Sequence, residues 1–312
     1  MIDIFGAWCN NYFDGIMTTN IANNMAALNH KVTVFCYNKN FNTKHKNVKL
    51  IRGMPTGGDI LIIQYEDVIK FLKTYSLDDF KKKYKKVYYH ATQCSGWHNN
   101  KSHHFLATDL LSKLDNMICA LKWDAEKATK QGYNAKFGGR GACSEILNAD
   151  YKYKIPIIFL DYERGSKACR HKDFREALKI VKEKNPNIRI GTFTRSYPIS
   201  NFVIKWGSFA KMANSIYNPS WIFLPSHNGG YELPIIEAQM AGCTICSFKN
   251  HVQEEILSDV SKQYVSNSID EMADNILKAI DNFKNDKNIN RQFALINHRW
   301  SLIAQNWIDI IK

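Results

Sequence analysis

Residues 226–242 read SHNGGYELPIIEAQMAG. They follow WIFLP (221–225), an apolar run that reads as a strand. The loop ends where Leu233-Pro234 opens a helix, since proline suits a first turn that needs no backbone N–H partner. Gly229 and Gly230 permit unusual φ values and let a ligand approach the main chain. The free N–H groups and positive dipole end of such a helix suit an anion, for example a diphosphate. Glu237 is expected on the first turn, where a carboxylate can accept two ribose hydroxyls. A plain glycine-rich turn in front of a core helix explains the same residues, so both readings stand at this point.

The same strand–loop–helix unit recurs along the chain. In the first half the expected strands are 2–6, 31–37, 59–64, 86–91 and 116–120, with helical patterns at 16–29, 102–114 and 122–131. After Asp150 the pattern restarts. Strands are expected at 155–160, 188–193, 220–226 and 243–248, and helices at 173–186, 208–217, 233–242, 268–284 and 290–311. Alternating strands and helices argue an α/β chain with parallel sheets. The 312 residues exceed what one core needs. The expected domains are 1–152 and 153–296, both Rossmann-like and joined near 148–156. Residues 297–312 form a helix expected to pack back on the first domain.

Bulk properties narrow the function classes. No apolar run reaches the length of about 18 residues that a spanning helix needs, and the N-terminus shows no signal-peptide pattern. Eight scattered cysteines fit free thiols in a reducing cytosol better than a disulfide framework. Cys243 and Cys246 form a CxxC inside a strand-like run, with no second ligand pair nearby to make a zinc site. The net charge is +13. Residues 1–155 hold 22 basic and 13 acidic residues, and 156–312 hold 20 and 16, so +9 of the excess falls in the first half. Such a surface attracts polyanions, although charge of this kind also serves solubility.

The C-terminal half resembles the retaining GT-B glycosyltransferases of glycosyltransferase family four, whose signature is E-G-F-G-L-P-x-x-E-A-M-A-x-G. Gly230, Tyr231, Leu233, Pro234, Glu237, Ala238 and Gly242 match it. The first glutamate of the family's E-x7-E pair falls on Gly229, and Glu232 stands where the family has glycine. Residues 204–226 and 298–310 resemble two further family segments, and 160–178 sits where the family has G-R-x-x-x-x-K-G. Arg164 matches that arginine, while Lys167 and Arg170 share the place of the lysine. The N-terminal half matches in layout only, with Asp14-Gly15 at the place of a donor-phosphate loop and His90 ending a strand.

The resemblance implies two Rossmann-like domains facing across a cleft and no cofactor or metal beyond the nucleotide-sugar, a UDP-sugar first. It implies that Arg164 with Lys167 or Arg170 stabilises the diphosphate leaving group. Asp14, Gly15 and Gly229 to Leu233 line the donor, Glu237 holds the ribose, and Glu232 and His90 touch the sugar. Either Glu232 replaces the acid missing at Gly229, or the sugar is held differently.

The acceptor is expected on the basic first half. Lys83, Lys85 and Lys86 lie in KKKYKK (81–86), near Tyr88 and Tyr89, and Trp97 and His98 follow in CSGWHNNKSHH (94–104). Basic residues beside aromatics suit phosphate contacts plus base stacking. That favours hydroxymethylated DNA of phage type, in a bacterial or phage-infected cytoplasm, with base flipping. Anionic lipid or a cell-surface glycan at the membrane surface is the alternative. A non-catalytic carbohydrate- or nucleic-acid-binding protein is the reading from another class, supported by the missing acid.

Overall fold

The computed structural model describes residues 1–6, 12–36, 45–64, 74–91, 116–142, 157–160, 170–193, 197–204, 215–217, 221–225, 233–250 and 252–312, with backbone alone at 12–16 and 91. The helix expected at 102–114, residues 208–214 of the helix expected at 208–217, and the join near 148–156 lie outside these residues.

The elements begin β1 (Ile2–Phe5), α1 (Tyr12–Ala27), β2 (Val32–Cys36), β3 (Val48–Arg52), β4 (Gly58–Gln64) and α2 (Leu77–Lys83). Next come β5 (Tyr84–Ala91), β6 (Asn116–Cys119), α3 (Lys122–Lys130), β7 (Ala135–Phe137), β8 (Ile157–Leu160) and α4 (His171–Lys184). Then follow β9 (Arg189–Phe193), β10 (Phe202–Ile204), β11 (Ile222–Leu224), α5 (Leu233–Ala241), β12 (Thr244–Ile245) and β13 (Ser247–Phe248). The chain closes with α6 (Gln253–Ile256), α7 (Asp259–Lys262), β14 (Val265–Ser266), α8 (Ile269–Asn297) and α9 (Trp300–Ile311). Two compact units divide it: Met1–Gly141 with Arg299–Lys312, and Ala142–His298.

Unit 1 is a seven-stranded sheet in the order β3-β2-β1-β4-β5-β6-β7, with every pairing parallel. A parallel sheet must be covered on both faces. Ile4, Ile62, Tyr88 and Ile118 pack with α1 and α9. Phe5, Leu61, Ile63, Tyr89 and Met117 face the other way, against Leu77 and Phe80 of α2 and Ala125 of α3. Helix α1 buries Met17, Ile21 and Met25 at i, i+4 and i+8. That stripe carries the helix through Gly15, whose intrinsic penalty is about 1 kcal/mol. Asp14 and Gly15 are therefore helical, in the first turn of α1, and not in the phosphate loop expected there.

Helix α9 buries Trp300, Ile303, Trp307, Ile308 and Ile311. It lies so close to the segment 138–141 that side chains are excluded there. A Cβ on Gly138 would collide with Ile118 Cγ2 and lie 2.8 Å from Trp307 Nε1, and one on Gly141 would lie 2.5 Å from Trp300 Cδ2.

Unit 2 is a five-stranded parallel sheet, β10-β9-β8-β11-β12, with a two-stranded parallel pair β13-β14. The single strand expected at 243–248 is thus two short ones, paired with β11 and β14 respectively. Phe174, Ala177, Leu178 and Val181 of α4, at the spacing of one helix face, join Met272, Ile276 and Ala279 of α8 in the core.

Helix α8 corrects the sequence expectation of two helices at 268–284 and 290–311. It runs unbroken for 29 residues, and the break falls at His298-Arg299. Its polar middle is inward-facing and satisfied. Asp286 accepts from Tyr264 Oη at 2.8 Å. Asn290 accepts from Ser261 Oγ at 2.9 Å and donates to Thr244 Oγ1 at 3.3 Å. Apolar periodicity is blind to such residues. Ser268 caps the helix by accepting from Glu271 N, and Glu271 in turn accepts from Asn267 N, one residue before the cap.

Candidate functional site

In unit 2 the strand order reverses between β8 and β11, whose last residues Leu160 and Leu224 pair in register. Ligands of open α/β sheets collect at the carboxyl ends of strands at such a point. The two segments singled out in the sequence, 161–170 and 226–232, leave from these neighbouring ends. Arg164, Lys167, Gly229, Gly230, Tyr231 and Glu232 lie outside the described residues. The observable part is Arg170, Leu233 and Glu237.

Arg170 is the N-cap residue of α4. Its Nε donates to Asp173 Oδ2 at 2.7 Å, and its guanidinium stacks on Phe248, 3.6 Å from the ring centre. The cation is half-buried and oriented, with part of its charge answered by Asp173.

Leu233 is buried at the start of α5. Glu237 is the fifth residue of that helix, one turn further in than expected, and is 4% exposed. The helix-end field fades within the first turn, so a hydrogen bond holds this acid: Tyr217 Oη donates to Glu237 Oε2 at 2.9 Å. Gly242 ends the helix at φ +92°, with its N–H on Gln239 O and the next on Ala238 O. Only glycine takes that conformation without strain, which accounts for the last glycine of the opening stretch.

Unit 1 has its own reversal, between β1 and β4. Thr18 Oγ1 of α1 donates to Gln64 Oε1 at 2.7 Å, at the carboxyl end of β4. His90 is the register partner of Gln64 on β5. It is 0% exposed, and its ring lies 4.4 Å from that of Trp307. Burial, and then the positive charge of Arg140, hold the His90 pKa well below the usual imidazole value, so the ring is neutral. Both His90 nitrogens, Gln64 Nε2 and Trp307 Nε1 are buried with no hydrogen-bond partner among the described residues.

The basic run corrects a second expectation. Lys81 to Lys83 form the last turn of α2, a favourable end for cations, and Tyr84 begins β5. Tyr84 is buried with its hydroxyl on Asp3 Oδ2 at 2.7 Å, and Tyr88 and Tyr89 are core residues. None offers a face for base stacking. Lys85 pairs with Asp59 at 2.9 Å, and Lys86 donates to Lys312 O at 2.8 Å, tying down the end of α9. Tyr84 and His90 are six strand residues apart, roughly 20 Å. Lys83, Lys85 and Lys86 therefore lie at the amino end of the sheet, away from the ligand edge. Trp97 and His98 lie outside the described residues.

Cys243 and Cys246 are both fully buried strand-edge thiols, and burial pushes the Cys246 thiol well up. Among the described residues no cluster of His, Cys, Asp and Glu could hold a metal ion, and no helix is long and apolar enough to cross a membrane. Sequence reasoning missed Tyr217, Gln64, Arg140 and Trp307. A usable signal for the last two was the glycine spacing of FGGRGA (137–142), which marks backbone pressed against a partner.

No protein-family model and no curated protein matches the sequence. Solved structures do match by fold. A glycosyltransferase from Rickettsia africae aligns over 100% of this chain and 97% of its own, with a TM-score of 0.70 and 12% identity. The Escherichia coli structure described as trehalose-6-phosphate bound with UDP-2-fluoro glucose gives 0.71, with 9% identity over 99% and 98%. The Anabaena HepE structure in complex with UDP and glucose gives 0.65, with 10% identity over 99% and 98%. The chain has the GT-B fold: an α/β architecture of two Rossmann-like units with parallel sheets.

Proposed function

We propose that this chain is a retaining glycosyltransferase that moves a sugar from a UDP-sugar to an acceptor hydroxyl. The observation that supports it best is the register of β8 with β11. It starts the candidate diphosphate segment and the candidate ribose segment from neighbouring strand ends, and Glu237 is buried on the helix that follows the second. The fold neighbours crystallised with UDP, with glucose or with UDP-2-fluoro glucose favour that donor class.

In this reading Glu237 accepts the ribose hydroxyls, with Tyr217 holding its other oxygen in place. Arg164, with Lys167 or Arg170, neutralises the diphosphate as the bond from the anomeric carbon to the phosphate oxygen breaks. The bonding pair stays on that oxygen. The acceptor oxygen attacks from the same face, and its proton passes to the departing phosphate. Glu232 and the N–H groups from Gly229 to Leu233 line the donor sugar and phosphates.

Of the acceptors the sequence admits, hydroxymethylated DNA has lost its aromatic platform at Tyr84, Tyr88 and Tyr89. The charge argument still favours an anionic acceptor over a neutral one. The test is incubation of the pure full chain with a panel of UDP-sugars, alone and with hydroxymethylated duplex DNA, anionic lipid vesicles or sugar phosphates. Release of UDP and a mass increase of one sugar on an acceptor support the proposal. No UDP from any donor, with or without acceptor, leaves the non-catalytic binding protein as the better reading.

A further inference from the structure

The seven-stranded sheet of unit 1 ends on β3, which pairs with β2 alone among the described residues. The sequence around this edge carries one sign of charge. Residues 15–58 contain six Lys and Arg and no Asp or Glu, so they supply +6 of the +9 found in the first half. Four of the six cations, Lys31, Lys46, Lys49 and Arg52, are described, and all four are exposed. They stand together. Lys49 and Arg52 belong to β3, Lys46 lies just before it, and Lys31 precedes Val32, the register partner of Val48. Neighbouring strands lie about 5 Å apart and three strand residues span about 10 Å, so one edge holds all four. None of these side chains has an ion pair or hydrogen bond among the described residues. Asp59, the next acid along the chain, is already held by Lys85 and the N-terminal amine.

The same edge leaves apolar side chains in water. Leu50 and Met54 are each 37% exposed. Leu50 sits between Lys49 and Arg52, beside the half-buried Ile51. Residues 45–58 contain no Phe, Tyr or Trp.

Charges guard an open strand edge against pairing with another chain. A guard works with either sign, and it needs neither a cation on the neighbouring strand nor exposed apolar neighbours. Nucleic acid answers the cations, but its further contacts are base edges and base stacking, for which Leu50 and Met54 are the wrong side chains. A bilayer with anionic headgroups answers both features. Its phosphates meet the cations, and its acyl boundary takes up leucine and methionine. The unpaired peptide groups of β3 limit the depth, because hydrocarbon would strip their water. Such contact is shallow and held by charge, so salt weakens it.

We propose that the β3 edge of unit 1 docks on an anionic bilayer surface, with Lys31, Lys46, Lys49 and Arg52 on headgroup phosphates and Leu50 and Met54 at the acyl boundary. The docking does not depend on the transferase reading, and its test reads no sugar transfer.

The test is flotation of the purified full chain with vesicles of phosphatidylcholine, alone or mixed in equal parts with phosphatidylglycerol. Melting curves are recorded for each variant. The native chain is expected to float with the mixed vesicles only, and less at higher salt. One cation near such a surface contributes about fivefold to binding, so Lys46→Gln, Lys49→Gln and Arg52→Gln together are expected to weaken it about 100-fold. Leu50→Ser with Met54→Ser is expected to weaken it severalfold, and Lys83→Ala with Lys85→Ala to leave it unchanged. Flotation with neither vesicle, equal flotation with both, or full binding by the triple variant overturns the proposal. A second arm measures binding of duplex DNA at the same salt. DNA binding that the triple variant loses, together with vesicle binding indifferent to Leu50 and Met54, makes the edge a nucleic-acid surface and also overturns it. Should the triple variant fail to fold, Lys49→Gln alone, expected to weaken flotation about fivefold, decides in its place.

Discussion

The two units share a parallel sheet with one reversal of strand order and differ in the side chains at the carboxyl ends that flank it. In unit 2 several inward acids and amides are matched, Glu237 by Tyr217, Asp286 by Tyr264, and Gln239 by Ile256 O and Ser258 N, while Trp221 Nε1, Ser247 Oγ and Gln253 Oε1 are buried with no hydrogen-bond partner among the described residues. At the carboxyl edge of the unit 1 sheet, His90, Gln64 and Trp307 keep polar atoms with no hydrogen-bond partner among the described residues. A matched site is ordered before its ligand arrives, so binding costs little reorganisation. An unmatched buried group is held by the surrounding core at a cost of about 1–3 kcal/mol. The difference predicts that substitutions in unit 2 remove function and stability together, while those in unit 1 separate them.

The largest effect is expected at Glu237. Glu237→Ala removes the proposed ribose acceptor and strands a buried tyrosine hydroxyl. UDP affinity by calorimetry is expected to fall about 100-fold, and stability by about 1–3 kcal/mol. If affinity holds while stability falls, the acid is a core residue alone and the contrast between the units collapses.

Next in size is Gly138→Ala. The new Cβ collides with Ile118 and presses on Trp307, where overpacking typically costs about 1–3 kcal/mol. Denaturant melts are expected to show that loss with UDP affinity intact. Unchanged stability would mean that α9 yields easily and holds the unit 1 cluster loosely.

His90 sharpens the comparison through pH. Its pKa is lowered in the folded chain, so between that value and about 6.5 the unfolded chain binds a proton that the folded one refuses. Stability from this group is present above about pH 6.5 and is lost as pH falls, by up to about 1.4 kcal/mol per unit. His90→Leu is expected to abolish that slope and to leave neutral-pH stability unchanged or higher, because an unmet polar ring is replaced by an apolar one. A marked loss of stability at neutral pH would show that the ring has a partner.

The lysines mark the small end. Lys86→Met is expected to lose about 0.5–1.5 kcal/mol by freeing the last carbonyls of α9. Lys83→Ala with Lys85→Ala is expected to leave both the melting temperature and sugar transfer unchanged. A loss of transfer would return the basic run to the acceptor site.

The legible parts of the chain were those written in apolar pattern. The central strands, α1, α4 and α9 came from runs such as IIFL and from faces such as Phe174, Ala177, Leu178 and Val181. Edge strands hid: β3 buries only Val48, and β7 buries nothing. Edge strands carry little inward surface and are protected by charges such as Lys49, Arg52 and Lys136. The continuity of α8 hid because Asp286 and Asn290 are buried by hydrogen bonds and not by hydrophobicity. Glu237 was singled out from its place after the glycine loop, although its depth in the helix was not legible there. The lysines of KKKYKK misled because the alternation of β5 begins inside the run, and no count of charge distinguishes one end of a strand from the other. Gly138 and Trp307 are about 170 residues apart and meet through tertiary structure, beyond any local pattern.

The most direct test of the central claim is turnover of UDP-sugars by the purified full chain, native against Glu237→Gln, with melting curves recorded in parallel. A near-isosteric amide can keep the Tyr217 hydrogen bond while weakening the hold on the ribose. The expected result is UDP release by the native chain, and a KM for donor raised about tenfold or more in the variant with folding retained. Native turnover with an unchanged donor KM in a folded Glu237→Gln would contradict the placement of the donor on α5, and absence of turnover with every donor would contradict the transferase itself.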